Sequence, residues 1–446
     1  MTLPLLKYDR AQDRRVLDAL VDRLRQQVRG TGKLADLVAK IVEDVRRDGD
    51  AAVVHYMRQW TDPDFTADMI RVTADQMAEA EAKLDPGLRD AMSRAIDHVR
   101  QYQQHILPSD PPEIEIDGAQ LGLRMTPIER VGLHVPGGRA AYPSSVIMLG
   151  VPAQVAGVDR LSLVSPPPTL NPDAPAKGPS DISPLVLAVC HMLGLERVYR
   201  IGGAQAIAAL AVGTESVEGV DFIAGPGNAY TQQAKRQLFG EIGIDGFFGP
   251  SEIVVLADES ADPHYVASDL LAQAEHDPGC CFLVSKSAET IEAITEALNQ
   301  QLATRVRQEA IEPALREWSA AVLVDSDDTA YELVDQLAGE HVTLAVADPE
   351  AAMKRLRNGG AYFLGDATPV ASGDYYAGPS HCLPTGTTAR YSSGLSVYTF
   401  LKRSSVERYP NGLTSQAVED ITRLAEAETL DAHAESVRLR GKRTEV

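Results

Sequence analysis

Short β-branched runs alternate with helical patterns from about residue 131 onward, and this alternation limits the possible folds more than any other feature of the sequence. The runs are LSLVS (161–165), VYRIGG (198–203), DFIAGPGN (221–228), EIVVLAD (252–258), CFLVSKS (281–287), AVLVDS (321–326), VTLAVAD (342–348) and AYFLGD (361–366). Strands that alternate with helices are typical of an α/β architecture with a mostly parallel sheet. We therefore predict that fold class.

Helical periodicity dominates both ends of the chain. Residues from about 11 to 107 carry apolar side chains at helical spacing, such as Leu17, Leu20 and Leu24, which predicts a helical opening. The segment AVEDITRLAEAETLDAH (417–433) contains no Gly or Pro and predicts a helical tail. Six prolines between residues 166 and 179 predict an irregular surface loop.

Three related tetrapeptides recur where strands are predicted to begin or end. They are GPGN (225–228), GPSE (249–252) and GPSH (378–381). Such corners would fit two halves related by duplication, although matches of four residues do not establish one.

The composition limits the possible partners and the compartment. Lys and Arg number 42 against 63 Asp and Glu, which gives a net charge of −21. Duplex-binding proteins need a basic footprint, and peripheral membrane proteins need basic or lipidated segments. Four cysteines are too few for a disulfide scaffold in so long a chain, and no apolar stretch is long enough for a membrane helix. We expect a reduced, cytoplasmic protein without a nucleic-acid or membrane partner.

The first candidate site residues are Gln273 and His276, which lie three positions apart in the predicted helix DPHYVASDLLAQAEH (262–276). Both lie off its apolar stripe, so both can face one cleft. Taken alone, the pattern favours a histidine that caps a helix end, where the macrodipole favours a cation. Gln is also an uncommon metal ligand.

A second candidate is the pair Glu340 and His341, which stands between a predicted helix that ends at Gly339 and the strand VTLAVAD. A carboxylate beside an imidazole suits general acid–base catalysis, because histidine titrates near neutrality. A solvated turn is the alternative interpretation, and the sequence leaves both open.

Two further pairs offer metal-ligating or substrate-binding groups. Asp374 and His381 lie in a segment rich in Gly and Pro, where the backbone is bent and side chains can be aimed. Asp374 could equally be a simple turn former. In the tail, Glu428 and His433 would project some 140° apart on one straight helix. They can serve one site only if the helix bends or the ligand lies across its end.

A dinucleotide fingerprint is absent, because no GxGxxG motif follows a strand. The segments IGGAQAIAAL (201–210) and IAGPGNAY (223–230) do place Gly at strand-to-helix turns, where backbone amides can meet a phosphate, which is a weak signal. The adjacent pair Cys280 and Cys281 is interpreted as two small buried hydrophobic residues.

Longer motifs, in their order along the chain, resemble a known family. They are VGLHVPGGRAAYPSSV (131–146), IGGAQAIAALAVGTESV (201–217), GPGNAY (225–230), GPSEIVVLAD (249–258), DLLAQAEHDP (269–278), GEHVTLAV (339–346), the segment 373–401 and AEAETLDAH (425–433). Together they resemble the histidinol dehydrogenase family, which carries out the last steps of histidine biosynthesis, and the resemblance covers residues from about 30 to 440.

The resemblance implies a zinc-dependent, four-electron oxidation of L-histidinol through histidinaldehyde to L-histidine, with two NAD+ reduced in turn. It assigns one Zn2+ per subunit to Gln273, His276, Asp374 and His433, and the acid–base role to Glu340 and His341. Substrate contacts are implied for Ser251, Gln273, His276, His341, Asp374, His381, Glu428 and His433. NAD contacts are implied for Gln205, Asn228 and position 134, where this chain has His134 instead of the usual Tyr.

The resemblance also implies an intertwined homodimer of two incomplete Rossmann-like domains with helical terminal segments. The expected division is an N-terminal helical segment (1–29), a large α/β domain that bears the zinc and catalytic residues (30–132 and 250–395), an NAD-binding α/β domain (133–249) and a C-terminal helical tail (396–446). In such a dimer the tail completes the partner's site.

Three alternative functions fit parts of the same pattern. A relative could oxidise another small alcohol, although His381 and Glu428 favour histidinol. A zinc hydrolase could use the same metal ligands with Glu340 as base, but the Gly-turn segments would then have no role. A metal-binding regulatory protein would leave the pair Glu340 and His341 unexplained.

Overall fold

The structure, a computed structural model, describes residues 3–29, 32–137, 142–167, 181–276 and 279–441. Two compact units are present: a larger one with residues 1–106 and 129–399, and a smaller one with residues 107–128 and 400–446. The predicted proline-rich loop lies almost entirely outside the described residues. The domain boundaries expected from the sequence stay a prediction.

The strands and helices alternate over most of the chain, as predicted. The strands are β1 Leu5–Lys7, β2 Ile114–Ile116, β3 Ala119–Pro127, β4 Arg130–His134, β5 Arg160–Val164, β6 Arg197–Tyr199, β7 Phe222–Ala224, β8 Gly243–Ile244, β9 Ser251–Ala257, β10 Gly279–Ser285, β11 Ala320–Leu323, β12 His341–Ala345, β13 Ala361–Leu364 and β14 Leu401–Arg408. The helices are α1 Ala11–Arg29, α2 Gly32–Asp48, α3 Asp50–Trp60, α4 Ala74–Ala82, α5 Pro86–Ile106, α6 Pro143–Ala156, α7 Pro184–Met192, α8 Gly203–Val212, α9 Ala229–Leu238, α10 Pro263–Ala274, α11 Ala288–Leu302, α12 Gln308–Glu317, α13 Asp327–Leu337, α14 Pro349–Arg355, α15 Val370–Tyr375, α16 Ser415–Ala427 and α17 Asp431–Gly441.

Two parallel sheets in the larger unit share one strand order. The five-stranded sheet has the order β6-β5-β4-β7-β8, and the six-stranded sheet has the order β1-β11-β10-β9-β12-β13. If the strands of each sheet are counted from β4 and from β9 respectively, both read 3-2-1-4-5, with β1 added at the edge of the second. This is the doubly wound order of Rossmann-like folds. The predicted fold class of two incomplete Rossmann-like halves is confirmed.

The centre of the six-stranded sheet is covered on both faces. Strands β9 and β10 are almost wholly buried, as expected for parallel strands between two helical layers. Side chains alternate between the two faces, so Cys281 packs with Leu270 and Leu298 of α10 and α11, while Cys280 packs with Leu333 of α13. All four cysteines of the chain are buried free thiols, which confirms the interpretation of Cys280 and Cys281 as core residues.

The predicted helical opening is confirmed as α1 to α5, but the chain begins with a strand that the sequence analysis missed. Strand β1 pairs in parallel with β11 from Leu5 opposite Ala321 to Lys7 opposite Leu323. A three-residue strand at a chain end carries too little periodicity to be recognised. Among the described helices, none combines the length and apolar character that a membrane crossing requires.

The smaller unit corrects the prediction for the tail. It contains an antiparallel sheet of β2, β3 and β14, which the sequence analysis did not foresee. The tail is not one helix, because α16 ends at Ala427 and α17 begins only at Asp431. Thr429 between them has φ +60°, a left-handed conformation that interrupts a helix. The break lies between Glu428 and His433, so the 140° separation of a straight helix does not apply to them.

Close packing of α10 against the start of β10 depends on Gly279. A Cβ atom at this position would lie 1.9 Å from the backbone oxygen of Gln273 and 2.9 Å from Cα of Ala274. We expect Gly279→Ala to lower the free energy of unfolding by about 1–3 kcal/mol, because the helix end must shift to admit the methyl group. Urea unfolding measures the change.

Gly32→Ala is the matched control, because no atom lies within 4 Å of a Cβ atom there and its φ is not positive. This substitution should leave the free energy of unfolding unchanged within about 0.5 kcal/mol. Equal effects of the two substitutions would contradict the packing explanation.

Candidate active site

The predicted acid–base pair lies at the amino end of β12 in the six-stranded sheet, next to the start of its neighbour β9. Ser251 begins β9 and His341 begins its neighbour β12, with His341 opposite Ile253 in the parallel register. Glu340 immediately precedes β12, and its carboxylate accepts hydrogen bonds from the Ser251 hydroxyl and from the backbone N–H of Glu252, at 3.0 Å for the latter. The structure thus brings Ser251, Glu340 and His341 together.

The imidazole of His341 is held in one orientation. Its Nδ1 lies 3.1 Å from the backbone oxygen of Glu252, and a carbonyl can only accept, so Nδ1 carries the proton. The other ring nitrogen, Nε2, is buried without a hydrogen-bond partner and lies 3.6 Å from Oδ1 of Asp374. When the ring is neutral, Nε2 keeps its lone pair and can accept a proton from a bound substrate.

Burial and the neighbouring carboxylates act in opposite directions on this pair. Burial disfavours the imidazolium form of His341, but the Glu340 and Asp374 carboxylates outweigh it and raise the pKa of His341 to about 9. Burial also raises the pKa of Glu340, although His341 and the hydrogen bond from Ser251 oppose this. The pair therefore retains a proton at neutral pH when no cation or substrate is bound.

Gln273 and His276 lie at the C-terminal end of α10, next to the same sheet edge. Gln273 is buried and its Nε2 has no hydrogen-bond partner. His276 is exposed, and its Nδ1 lies 3.2 Å from the Gln273 backbone oxygen. An N–H that donates to a carbonyl fixes the tautomer and leaves Nε2 with its lone pair, which is the usual arrangement of a histidine that binds a metal.

Asp374 and His381 complete this cluster in the larger unit. Burial alone would raise the pKa of Asp374, but His341, which lies 3.6 Å from its carboxylate, and the charges of His381 and His276 lower it below its usual range. His381 faces the Asp374 backbone oxygen through Nδ1 at 3.0 Å and the Ser145 hydroxyl through Nε2 at 3.2 Å. Since Ser145 belongs to α6, His381 links this cluster to the five-stranded sheet.

The two tail residues belong to the smaller unit. Glu428 caps the C-terminal end of α16 and His433 lies in the first turn of α17. Both side chains are exposed in this chain. Their side chains are therefore accessible, and the break between α16 and α17 separates them.

The predicted NAD contacts lie at the carboxyl edge of the five-stranded sheet. His134 ends β4, and the loop 225–228 follows its neighbour β7, at the point where the strand order reverses. Such a switch point is where doubly wound sheets bind their ligands. Gln205 lies in the first turn of α8, and Asn228 caps α9 by accepting the N–H groups of Tyr230 and Thr231.

Within the described part of this edge, two buried polar atoms have no hydrogen-bond partner. They are Nε2 of His134 and Oε1 of Gln205. The other ring nitrogen of His134 donates to the backbone oxygen of Pro226. Unpartnered buried atoms are costly in a finished core, and a bound ligand with polar groups would satisfy them. This fits the predicted assignment of both residues to the cofactor.

Sequence reasoning missed three contributions to this site. Glu252 is buried, burial raises its pKa to about 8, and its carboxylate accepts the N–H of Gly386. The second is Ser145, whose hydroxyl contacts His381. The third is Asp269, which accepts the N–H of Val370 at 3.4 Å, at the start of the helix that carries Asp374. Of the three, only Glu252 had a recognisable sequence signal, because it is a charged residue directly before the apolar run IVVLA.

Comparison with known proteins agrees with this geometry. The sequence model of the family described as histidinol dehydrogenase matches residues 24–441. A histidinol dehydrogenase from a Synechococcus species is 43% identical over 404 residues, which are 90% of this chain and 91% of that protein. One from Agrobacterium fabrum is 45% identical over 405 residues, with the same coverage of 90% and 91%. The crystal structure of histidinol dehydrogenase from Elizabethkingia anophelis matches with a TM-score of 0.89 and 30% identity, over 100% of this chain and 99% of that one.

Two doubly wound sheets, one with a buried imidazole and carboxylate pair and the other with Gly turns at its switch point, fit an NAD-dependent oxidoreductase, and the family match and the relatives place the protein in that class. The family match and the sequence identities over nine-tenths of the chain also specify which family of oxidoreductases this is. The chain belongs to the histidinol dehydrogenase family.

The burial of His134 predicts a pH-dependent stability. Burial lowers the pKa of His134 to about 4, whereas an unfolded histidine titrates near 6.5. At a pH between these two pKa values, residue 134 binds a proton in the unfolded chain but not in the folded chain. The free energy of unfolding therefore decreases as the pH falls below about 6.5. From pH 7 to pH 5 this loss should be about 2 kcal/mol, and His134→Gln should lack it. Urea unfolding of the metal-free protein at both pH values measures the difference.

His55→Gln provides the control, because His55 is exposed and its replacement should leave the pH dependence of the wild type. The explanation fails if His134→Gln loses as much stability between pH 7 and pH 5 as the wild type does.

Proposed function

We propose that this site oxidises L-histidinol through L-histidinaldehyde to L-histidine, with zinc bound at the site and two NAD+ reduced in turn. The observation that carries the proposal is the unpartnered, buried Nε2 of His341, beside Glu340 and Asp374, in a member of the histidinol dehydrogenase family. An alcohol oxidation needs such a base to remove the hydroxyl proton as hydride leaves for the nicotinamide.

Zinc would be held by Gln273, His276, Asp374 and His433. Among the described residues there is no group of three or more His, Cys, Asp or Glu placed to hold a metal, and the larger unit supplies only two such ligands, His276 and Asp374. Gln273 would add its amide oxygen Oε1, and His276 would bind through Nε2, which keeps its lone pair because Nδ1 donates to a carbonyl. When bound, zinc supplies a Lewis acid that polarises the substrate oxygen.

The first oxidation uses His341 as the base. Its Nε2 takes the hydroxyl proton. Nδ1–H continues to donate its hydrogen bond to the backbone oxygen of Glu252, which keeps the ring in place. The imidazolium that forms lies 3.6 Å from both the Glu340 and the Asp374 carboxylates, which stabilise its charge. A cation on Asp374 would compensate one of these two carboxylates, and so lower the pKa of His341 towards neutrality.

The second oxidation requires water, and we assign its activation to Glu340. Burial raises the pKa of this carboxyl group, which makes it a stronger base for the water that attacks the aldehyde carbon. The hydrate then gives its hydride to the second NAD+. Ser251, which donates to Glu340, contacts the substrate together with His381 and Glu428, while His134, Gln205 and Asn228 contact NAD.

The proposed assembly is a homodimer in which Glu428 and His433 complete the site of the partner subunit. Support comes from their exposure in this chain and from the break that frees them from one helical axis. The family's biosynthetic role and the four free thiols support a cytoplasmic enzyme, and the net charge of −21 argues against nucleic-acid and membrane partners.

The direct test is the formation of NADH by the zinc-loaded protein with L-histidinol and NAD+. We expect two NADH for each histidinol consumed. NADH formation with a different small alcohol but not with histidinol would identify a relative with another substrate. Ester or amide hydrolysis without any NADH would instead support the zinc hydrolase.

Replacement of the proposed base separates catalysis from metal binding. We expect His341→Asn to lower kcat by about 10²–10⁴-fold, because the proton acceptor is lost, and to leave the zinc content unchanged. Enzyme assay and metal analysis of the same preparation measure both effects.

His264→Asn is the matched control, since His264 is exposed at the opposite end of α10. It should change neither the rate nor the zinc content. A large loss of zinc in His341→Asn would contradict the role of a base outside the metal shell.

Shared sites also predict complementation between subunits. Mixing equal amounts of His341→Asn and His433→Asn under conditions of subunit exchange should restore up to about a quarter of the wild-type activity. About half of the dimers are then hybrids, and one of the two sites in each hybrid receives both intact residues. The measurement is NADH formation before and after exchange. No recovery after verified exchange would mean that each chain completes its own site.

A further inference from the structure

A fully buried ion pair lies beneath the loop 225–228, and the proposed reaction does not use it. Lys235 belongs to α9 and Asp245 follows β8, with Nζ and Oδ1 2.5 Å apart and both side chains at most 2% exposed. Removing two charges from water is costly, and well-packed apolar residues are often as stabilising as a buried ion pair. Stability alone therefore does not account for this pair.

Both members of the pair hold the backbone of one residue. The Lys235 ammonium donates to the backbone oxygen of Gly225 at 3.1 Å, and the Asp245 carboxylate accepts the N–H of Gly225 at 2.6 Å. The second oxygen of Asp245 also accepts the N–H of Gly246 at 2.9 Å. The peptide groups on either side of Gly225 are thus fixed by charge-assisted hydrogen bonds, the stronger class of such bonds.

Gly225 needs this support because its position is crowded. It has φ +119°, and a Cβ atom there would lie 2.2 Å from the backbone oxygen of His134. The next residue, Pro226, accepts the hydrogen bond of the His134 ring, and Asn228 caps α9 two residues later. The conformation of Gly225 consequently sets where His134 and Asn228 stand at the switch point.

We propose that Lys235 and Asp245 are positioning residues for NAD+, which hold the loop 225–228 in the geometry that binds the dinucleotide. The inference rests on the proposed placement of NAD+ at His134, Gln205 and Asn228. Neither side chain contacts the cofactor, because both are occupied by each other and by the backbone. Their loss acts on the affinity for NAD+ and leaves the chemistry at His341 intact.

The decisive variant is Lys235→Met/Asp245→Leu, which replaces the pair by apolar side chains and leaves no unpaired buried charge. We expect the Kd for NAD+, measured by calorimetry on the zinc-loaded protein, and the KM for NAD+ to rise tenfold or more. The kcat and the KM for histidinol should stay within about threefold of the wild type. Lys235→Met/Asp245→Asn retains an oxygen that can accept the N–H of Gly225, and should recover part of the lost affinity.

Arg130→Met/Asp221→Leu is the control, because this ion pair lies at the amino ends of β4 and β7, whereas the loop 225–228 follows the carboxyl end of β7, and because it is solvent-exposed at 39% and 43%. Its loss should not change the Kd for NAD+. Should the apolar double variant fail to fold, Lys235→Met/Asp245→Asn carries the test, and an unchanged Kd for NAD+ in that variant overturns the inference.

Gln205→Leu separates this inference from the proposed function. It removes a proposed NAD+ contact without touching the loop. If Gln205→Leu weakens NAD+ binding and the apolar double variant does not, the inference alone is overturned. If Gln205→Leu has no effect, the placement of NAD+ fails and the inference with it. A wild-type enzyme that produces no NADH from histidinol overturns the proposed function itself.

Discussion

The parallel pairing of β9 with β12 is the constraint on which the catalytic cluster depends. The register places His341 opposite Ile253, and it lets the Glu340 carboxylate reach both the hydroxyl of Ser251 and the N–H of Glu252. A slip of one residue would turn every side chain of β12 to the opposite face of the sheet. Because the pairing lies between two buried helical layers, such a slip is excluded by the core, and the orientation of the His341 ring follows from it.

The two sheets repeat one strand order and use opposite edges. The five-stranded sheet presents His134 and the loop 225–228 at its carboxyl edge, where doubly wound folds bind ligands. The six-stranded sheet presents Ser251, Glu340 and His341 at its amino edge. The hydrogen bond that the hydroxyl of Ser145 in α6 donates to Nε2 of His381 joins the two places. The proposed reaction requires a hydride donor and acceptor that lie close together, and this hydrogen bond links the sheet proposed to bind NAD+ to the sheet that carries the proposed base. The recurring Gly-Pro tetrapeptides do not follow this shared order, because they stand after β7, at the start of β9 and after α15, which are not equivalent positions of the two sheets.

Much of the fold could be predicted from the sequence, because the strands are short β-branched runs between helical patterns. The pair Glu340 and His341 was also recognisable, since it stands directly before such a run. The break in the tail was not, because Thr429 adopts its left-handed conformation without the Gly or Pro that normally announces one. Lys235 and Asp245 were missed for a related reason: a lysine in a polar helix gives no sign of being buried, and its partner lies ten residues further along the chain.

The sequence by itself determined the α/β class, the family resemblance and the residue types available for acid–base and metal chemistry. These follow from local periodicity and from motifs that can be read residue by residue. Tertiary structure alone decided which nitrogen of His341 lacks a hydrogen-bond partner, that His341 and His381 both lie beside Asp374, and that a buried ion pair fixes Gly225. Each of these depends on contacts between segments far apart in sequence, where burial sets the strength of every charge and hydrogen bond, and no local pattern encodes that burial.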